Sequence, residues 1–245
     1  MVIRKRRLWY VVLVIGGFMI ILFTYNITSY LYSYKSDLKF KQELEDNIIK
    51  DDVNFLSIDF LQLQEINNDV VGFIKVENTN ISYPIVKSSD NTYYLNHSFT
   101  NEKNDAGAIF LDYRNDLDNL SKNTIIYGHG RIDNSMFGSL DNLLEEKWLK
   151  NKDNYYIKIS TPKNKMIFKI FSVYTIEKES YYLKTYFSNS KYFKTFLETI
   201  MKRSIFNFKT NVNTNDKILT LSTCKDNYGK RIVVHAKMIK KEETN

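Results

Sequence analysis

From Leu8 to Tyr34 the chain carries no charged side chain, and the cluster Arg4, Lys5, Arg6 and Arg7 stands directly before that stretch. At about 1.5 Å per helical residue, such a run is long enough to cross a hydrocarbon core about 30 Å thick. The apolar part, Leu8 to Phe23, passes into Thr24, Tyr25, Asn26, Ile27, Thr28 and Ser29 without a small-x-small cleavage site. It therefore reads as an uncleaved anchor rather than a removed signal peptide. The basic cluster places the amino terminus in the cytoplasm, and Tyr25, Tyr30, Tyr32 and Tyr34 suit the far interface. The rest of the chain is then expected outside the cell, as the exposed part of a single-pass protein.

The anchor also accounts for most of the charge. The chain has 35 basic and 28 acidic residues, a balance of +7 that by itself points to a polyanionic partner. Without the four residues of the basic cluster, 31 basic residues face 28 acidic ones. No zinc-finger spacing, aromatic RNP-type motif or arginine stripe is present, so nucleic-acid binding is not expected.

Residues 35–68 are charged, with Leu38, Leu44, Ile48, Ile49, Phe55, Ile58, Leu61, Leu63 and Ile66 at mixed helical spacings, and read as one or two amphipathic helices. Beyond them the texture becomes β-rich. Short runs span 70–76, 81–86, 108–111, 124–127, 155–160, 166–176, 217–222 and 231–239, with helical interruptions at 139–150 and 190–203. Eight such runs predict a mainly β fold, a barrel or a sandwich. The expected organisation is a basic segment 1–7, an anchor 8–30, helices 31–69 and one β domain 70–245.

Cys224 is the single cysteine, which excludes an intrachain disulfide and any zinc site needing two cysteines. In the run from Arg231, Ile232, Val234, Ala236 and Met238 alternate with Arg231, Val233, His235 and Lys237; in the preceding run Leu219 and Leu221 alternate with Thr220 and Ser222. The apolar set faces the core, so Ser222, Cys224 and Arg231 fall on the opposite side. The polar link 225–230 joins the runs as antiparallel neighbours and brings the Cys224 thiol beside the Arg231 guanidinium, a fixed cation that favours the thiolate. A lone cysteine also serves simply as a small buried hydrophobe.

Tyr127-Gly128-His129-Gly130 ends another β run in a glycine-flanked histidine, a position from which an imidazole can act as acid and base. His235 shares the face of Arg231 but lies about 13 Å further along its strand. His97 has no glycine frame and reads as a surface or structural residue. No His-x-x-x-His or acidic spacing supports a metal site, so neither metal nor cofactor is expected.

These residues resemble the class B sortases. The resemblance rests on Thr220-Leu221-Ser222-Thr223-Cys224 followed by Arg231, on 123–129 ending in Gly128-His129, and on the flanking segments 78–86 and 107–114. It implies a closed eight-stranded β-barrel with amino-terminal helices, and a cysteine transpeptidase that joins secreted proteins carrying a carboxy-terminal sorting signal to an amine of peptidoglycan. It further implies Cys224 as nucleophile, His129 as general acid and base, and Arg231 as the oxyanion or substrate-orienting cation. Ser222, Thr223 and Tyr127 are expected to line the substrate groove, Tyr182 to roof it, and Asn91 and Leu95 to form its wall. No Asp-Pro-aromatic lid of the pilin-polymerising class and no acidic cluster like the calcium site of some class A members is present. A hydrolytic cysteine peptidase and a non-enzymatic wall-binding module are the competing readings.

Overall fold

The computed structural model describes residues 2–47, 49–51, 55–177, 179–223 and 230–244. The chain divides into two units, Met1–Glu43 and Leu44–Asn245.

The first unit is the helix α1 (Val2–Asn47), which runs on without a break past the uncharged stretch and ends in the second unit. Its side chains from Val12 to Phe23 are exposed, and it is long and apolar enough to cross a membrane. The polar residues in its middle return their donors to the helix: Thr24 Oγ1 to Ile21 O at 2.9 Å, Asn26 Nδ2 to Leu22 O at 2.8 Å and Thr28 Oγ1 to Thr24 O at 3.0 Å. That satisfaction is what a hydrocarbon surrounding demands of a polar side chain.

The segment expected to be purely helical contains a small antiparallel sheet as well. β1 (Ile49–Asp51) pairs with β2 (Leu56–Ile58), Ile49 opposite Ile58, before α2 (Phe60–Ile66) begins at its cap Asp59. Strands of three residues are too short to show a period of two, so their pairing is set by contacts the sequence pattern does not display. One such contact is Ser160 Oγ donating to Leu56 O, which ties β2 to the domain that follows.

Eight strands then close into a barrel. They are β3 (Val70–Val76), β4 (Ser82–Val86), β5 (Phe110–Leu111), β6 (Asn123–Gly128), β7 (Tyr156–Ser160), β8 (Asn164–Ile176), β9 (Ile218–Thr223) and β10 (Arg231–Glu243). Each of the eight β-rich runs in the sequence supplies one strand. The order around the barrel is β10-β8-β7-β3-β4-β5-β6-β9, and β9 pairs back to β10. All pairs are antiparallel except β4 with β5 and β6 with β9. Barrel closure removes the unpaired edges that a sandwich would leave.

The alternation read from β9 and β10 holds. Leu219, Leu221, Val234 and Ala236 join Ile74, Ile126, Ile159 and Phe168 inside the barrel. The opposite faces of these strands are covered too, because α4 (Ser190–Arg203) lies on them with Phe193, Phe196, Leu197 and Ile200 turned inward. The spacing of three, four and seven puts these four on one helical face, where they meet Phe171, Tyr174 and Val233. Asn189 caps α4 by accepting from Lys191 N and Tyr192 N. The expected helix at 139–150 is instead a 3-10 segment (Gly138–Leu144) followed by the short α3 (Glu146–Leu149).

His235 lies within this second layer and is fully buried. Its Nδ1 meets Thr220 Oγ1 and its Nε2 meets Tyr174 OH, both at 2.9 Å. Burial pushes its pKa down from 6.5 to about 3, so the folded protein keeps it neutral while the unfolded chain takes up a proton below 6.5. Stability is therefore complete above that pH and falls as the pH drops toward the folded value, with a slope approaching ~1.4 kcal/mol per pH unit. Urea denaturation across pH 7 to about 3 should show a shallower acid loss for His235→Gln than for the parent; equal slopes would remove His235 as the cause.

Candidate active site at one rim of the barrel

β9 ends at Thr223 with a neighbour on each side. Gly128 of β6 lies opposite Thr223, and Val233 of β10 lies opposite Ser222. The Ile232 amide donates to Thr223 Oγ1 at 2.8 Å. This register carries His129, which follows Gly128, and Arg231, which begins β10, to the same rim as Thr223. Cys224 comes next in the chain, and it lies outside the described residues, as does the link to Gly229.

A cavity of ≈ 430 Å³ opens at this rim, lined by Asn91, Leu95, Phe110, Tyr127, His129, Leu183, Thr223 and Arg231. Six of the residues singled out in the sequence thus share one cavity: Asn91, Leu95, Tyr127, His129, Thr223 and Arg231. Ser222 and Tyr182 do not line it. Both are fully buried behind it, their hydroxyls 3.0 Å apart, and Tyr182 OH accepts from Arg231 Nη1 at 3.4 Å. The next residue, Leu183, reaches the cavity in place of Tyr182. His97 is half-buried and stacks on Tyr93, its ring 4.1 Å away and Nδ1 2.8 Å from Tyr93 O.

His129 is held at both ends. Its carbonyl accepts from Phe137 N at 2.8 Å, and its Nε2 lies 2.7 Å from Leu95 O. A carbonyl only accepts, so Nε2 carries the hydrogen, and in the neutral ring Nδ1 is the basic nitrogen. Gly107, in the left-handed region at φ 62°, packs against the imidazole. A methyl group there would stand 2.6 Å from Tyr94 O and 2.9 Å from His129 Cδ2. That is a close approach only glycine allows.

Asp112, just after β5, was not singled out in the sequence. It is fully buried and accepts from Tyr127 OH at 2.8 Å, Asn91 Nδ2 at 3.1 Å, and Arg114 Nε and Nη2 at 2.8 and 2.7 Å. Burial raises its pKa, but the hydrogen bonds and charge of Arg114 and the bond from Tyr127 prevail and hold it below the usual carboxylate value. The same burial and the Asp112 charge push the Tyr127 hydroxyl well above its ordinary range, so it stays a donor. An acid and a base two residues apart, Asp112 and Arg114, in the turn that ends an apolar run are the signal that could have found this pair.

Among the described residues no group of three His, Cys, Asp or Glu side chains could hold a metal ion. The lining offers a histidine, a guanidinium and hydroxyls, groups suited to moving a proton and stabilising an anion.

The Sortase domain pattern matches residues 74–239. Sortase B of Staphylococcus aureus is 34% identical over 243 residues, spanning 97% of this chain and 99% of its own. The crystal structure of sortase B from B. anthracis in complex with AAEK1 superposes with a TM-score of 0.75 at 37% identity, covering 87% of this chain and 99% of that one. A Staphylococcus aureus sortase B–substrate complex gives a TM-score of 0.69 at 35% identity, with 84% and 92% covered.

Gly107→Ala should displace the His129 ring and lower stability by about 1–3 kcal/mol, the usual size of such backbone strain. The checks are the His129 ring signals in NMR spectra and the urea midpoint; unmoved ring signals would show that Gly107 does not set the imidazole.

Proposed function

The chain belongs to the sortase family, as a cysteine transpeptidase of the sortase B type, and from that membership we propose that it attaches secreted proteins to peptidoglycan through a thioester on Cys224. The observation that carries this reading is the shared cavity: His129, Arg231 and Thr223, the residue before Cys224, line one ≈ 430 Å³ cleft.

In the proposed reaction the Cys224 thiolate attacks a backbone carbonyl near the end of a sorting signal. The Arg231 guanidinium stabilises the negative charge that develops on the carbonyl oxygen, an interaction stronger in the transition state than in the ground state. His129 gives a proton to the departing amine as the tetrahedral adduct collapses to the thioester. An amine of the cell wall or its precursor then attacks the thioester, His129 takes up that amine's proton, and the thiolate leaves. The Leu95 carbonyl accepts the Nε2 hydrogen and so leaves Nδ1 for the exchange. A sortase B relative from S. aureus forms a substrate complex, and in this chain the sorting peptide is placed in the cleft, against Asn91, Leu95 and Tyr127.

α1 supplies the proposed anchor, with Arg4 to Arg7 in the cytoplasm and the barrel on the outer face of the cell membrane. This arrangement puts the cleft where exported proteins and wall precursors meet.

The test uses the full chain in detergent micelles, a peptide with a class B type sorting signal and an amine acceptor. The parent should form an amide product and a trappable thioester. Cys224→Ala should form neither, while His129→Ala and Arg231→Ala should lose roughly a hundredfold or more of the rate, the usual weight of a proton-transfer group or an oxyanion donor. Absence of any acyl adduct while Cys224 stays reduced would overturn the proposal, and water preferred over abundant amine would make the protein a peptidase.

A further inference from the structure

Three consecutive backbone carbonyls in the turn after β8 are each taken by a side chain from the barrel. Asn123 Nδ2 donates to Tyr182 O at 3.1 Å and to Lys184 O at 2.8 Å, and Arg114 Nη2 donates to Leu183 O at 3.0 Å. Asn123 is itself fixed, its Oδ1 accepting from Thr220 Oγ1 at 2.6 Å. Arg114 is fixed by the paired bonds from its Nε and Nη2 to Asp112. The turn so held contributes two groups to the site: the Leu183 side chain in the cavity lining, and the Tyr182 hydroxyl that meets Arg231.

A buried carboxylate is a poor device for stability alone, because desolvation offsets most of what its partner returns. Asp112 is fully buried while Arg114 keeps 39% of its side chain exposed, so the pair spans from the interior to the surface. Its hydrogen bonds lead to three separate walls of one cavity: Tyr127 on β6, Asn91 in the loop after β4, and Leu183 through Arg114.

We propose that Asp112 and Arg114, with Asn123, are positioning residues that hold the 181–184 turn at the depth where Leu183 closes the cleft and Tyr182 meets Arg231. They take no part in the covalent steps of the proposed reaction. Their effect is to fix the wall against which the sorting peptide lies, which rests on the transpeptidase reading above. A bidentate guanidinium is required, since it grips both carboxylate oxygens while still reaching the Leu183 carbonyl; a single ammonium cannot do all three.

The experiment compares the full chain in micelles with its Arg114→Ala and Arg114→Lys variants, measuring KM and kcat for the sorting peptide at saturating amine, together with the unfolding midpoint. Both variants should raise KM between about tenfold and a hundredfold, the scale on which small misplacements act. Arg114→Lys keeps the charge beside Asp112 and should remain folded, so it decides the matter even where Arg114→Ala unfolds. Loss of folded protein would lower the apparent kcat and leave KM unchanged; that pattern, or a parental KM in Arg114→Lys, would overturn the inference. A parent chain that transfers no peptide at all would instead count against the transpeptidase reading.

Discussion

The parallel pairing of β6 with β9 is the constraint on which the site depends. These strands are far apart in sequence and run the same way, so their carboxy-terminal ends arrive together, Gly128 beside Thr223. β10 pairs with β9 in the opposite sense and therefore begins where β9 stops. One set of backbone hydrogen bonds thus brings Thr223 at the end of β9, His129 just after β6 and Arg231 at the start of β10 to one rim. A one-residue slip would turn every side chain of β9 to its other face, exchanging Leu221 for Ser222 in the core. The barrel interior resists that slip, because Leu219 and Leu221 are completely buried in it.

The site also depends on the barrel wall being covered on its outside. Ser222, Thr220, Val233 and His235 face away from the barrel core, yet each is buried beneath the 181–187 segment and α4 or the strands around them. Polar groups in this layer are paired in a chain from Asn123 through Thr220 and His235 to Tyr174. Unpaired, each would cost about 1–3 kcal/mol of desolvation, so the chain both pays for its burial and fixes which way each side chain points. Tyr182 belongs to this layer, which is why it supports Arg231 from behind rather than covering the cleft.

Much of the barrel was legible because its strands are periodic. The alternation in 231–239 and 217–222 reports faces directly, and Ser190 to Arg203 repeats its apolar residues at helical spacing. The small sheet β1–β2 was not legible, since three-residue strands carry no period and 48–58 offers β-branched residues at spacings a helix also uses. Within the site, His129 and Arg231 announced themselves by a glycine frame and a facing pattern. Asp112, Asn123 and Leu183 did not, because their work lies in bonds to residues distant in sequence: Asn123 to Lys184, Arg114 to Leu183, Tyr127 to Asp112. The outer cover over Ser222 escaped for the same reason, since alternation separates two faces without saying whether the second meets water.

These two kinds of residue divide the site into parts with different freedom to change. His129 and Arg231 stand at the ends of barrel strands, where moving either would disturb β6 or β10 and the core behind it. Asn91, Leu95 and Leu183 come from loops and short turns, held by side-chain bonds rather than by strand pairing. Substituting Leu95 or Leu183 changes the shape and polarity of the cleft while leaving the barrel register intact. In the proposed transpeptidase, selection of a different peptide is then reachable by changes in the turns, with His129 and Arg231 left in place. The Asp112–Arg114 pair sits where these two parts join. It fastens a turn to the strand ends through a buried charge, so the wall can vary in its side chains while its backbone keeps the same depth.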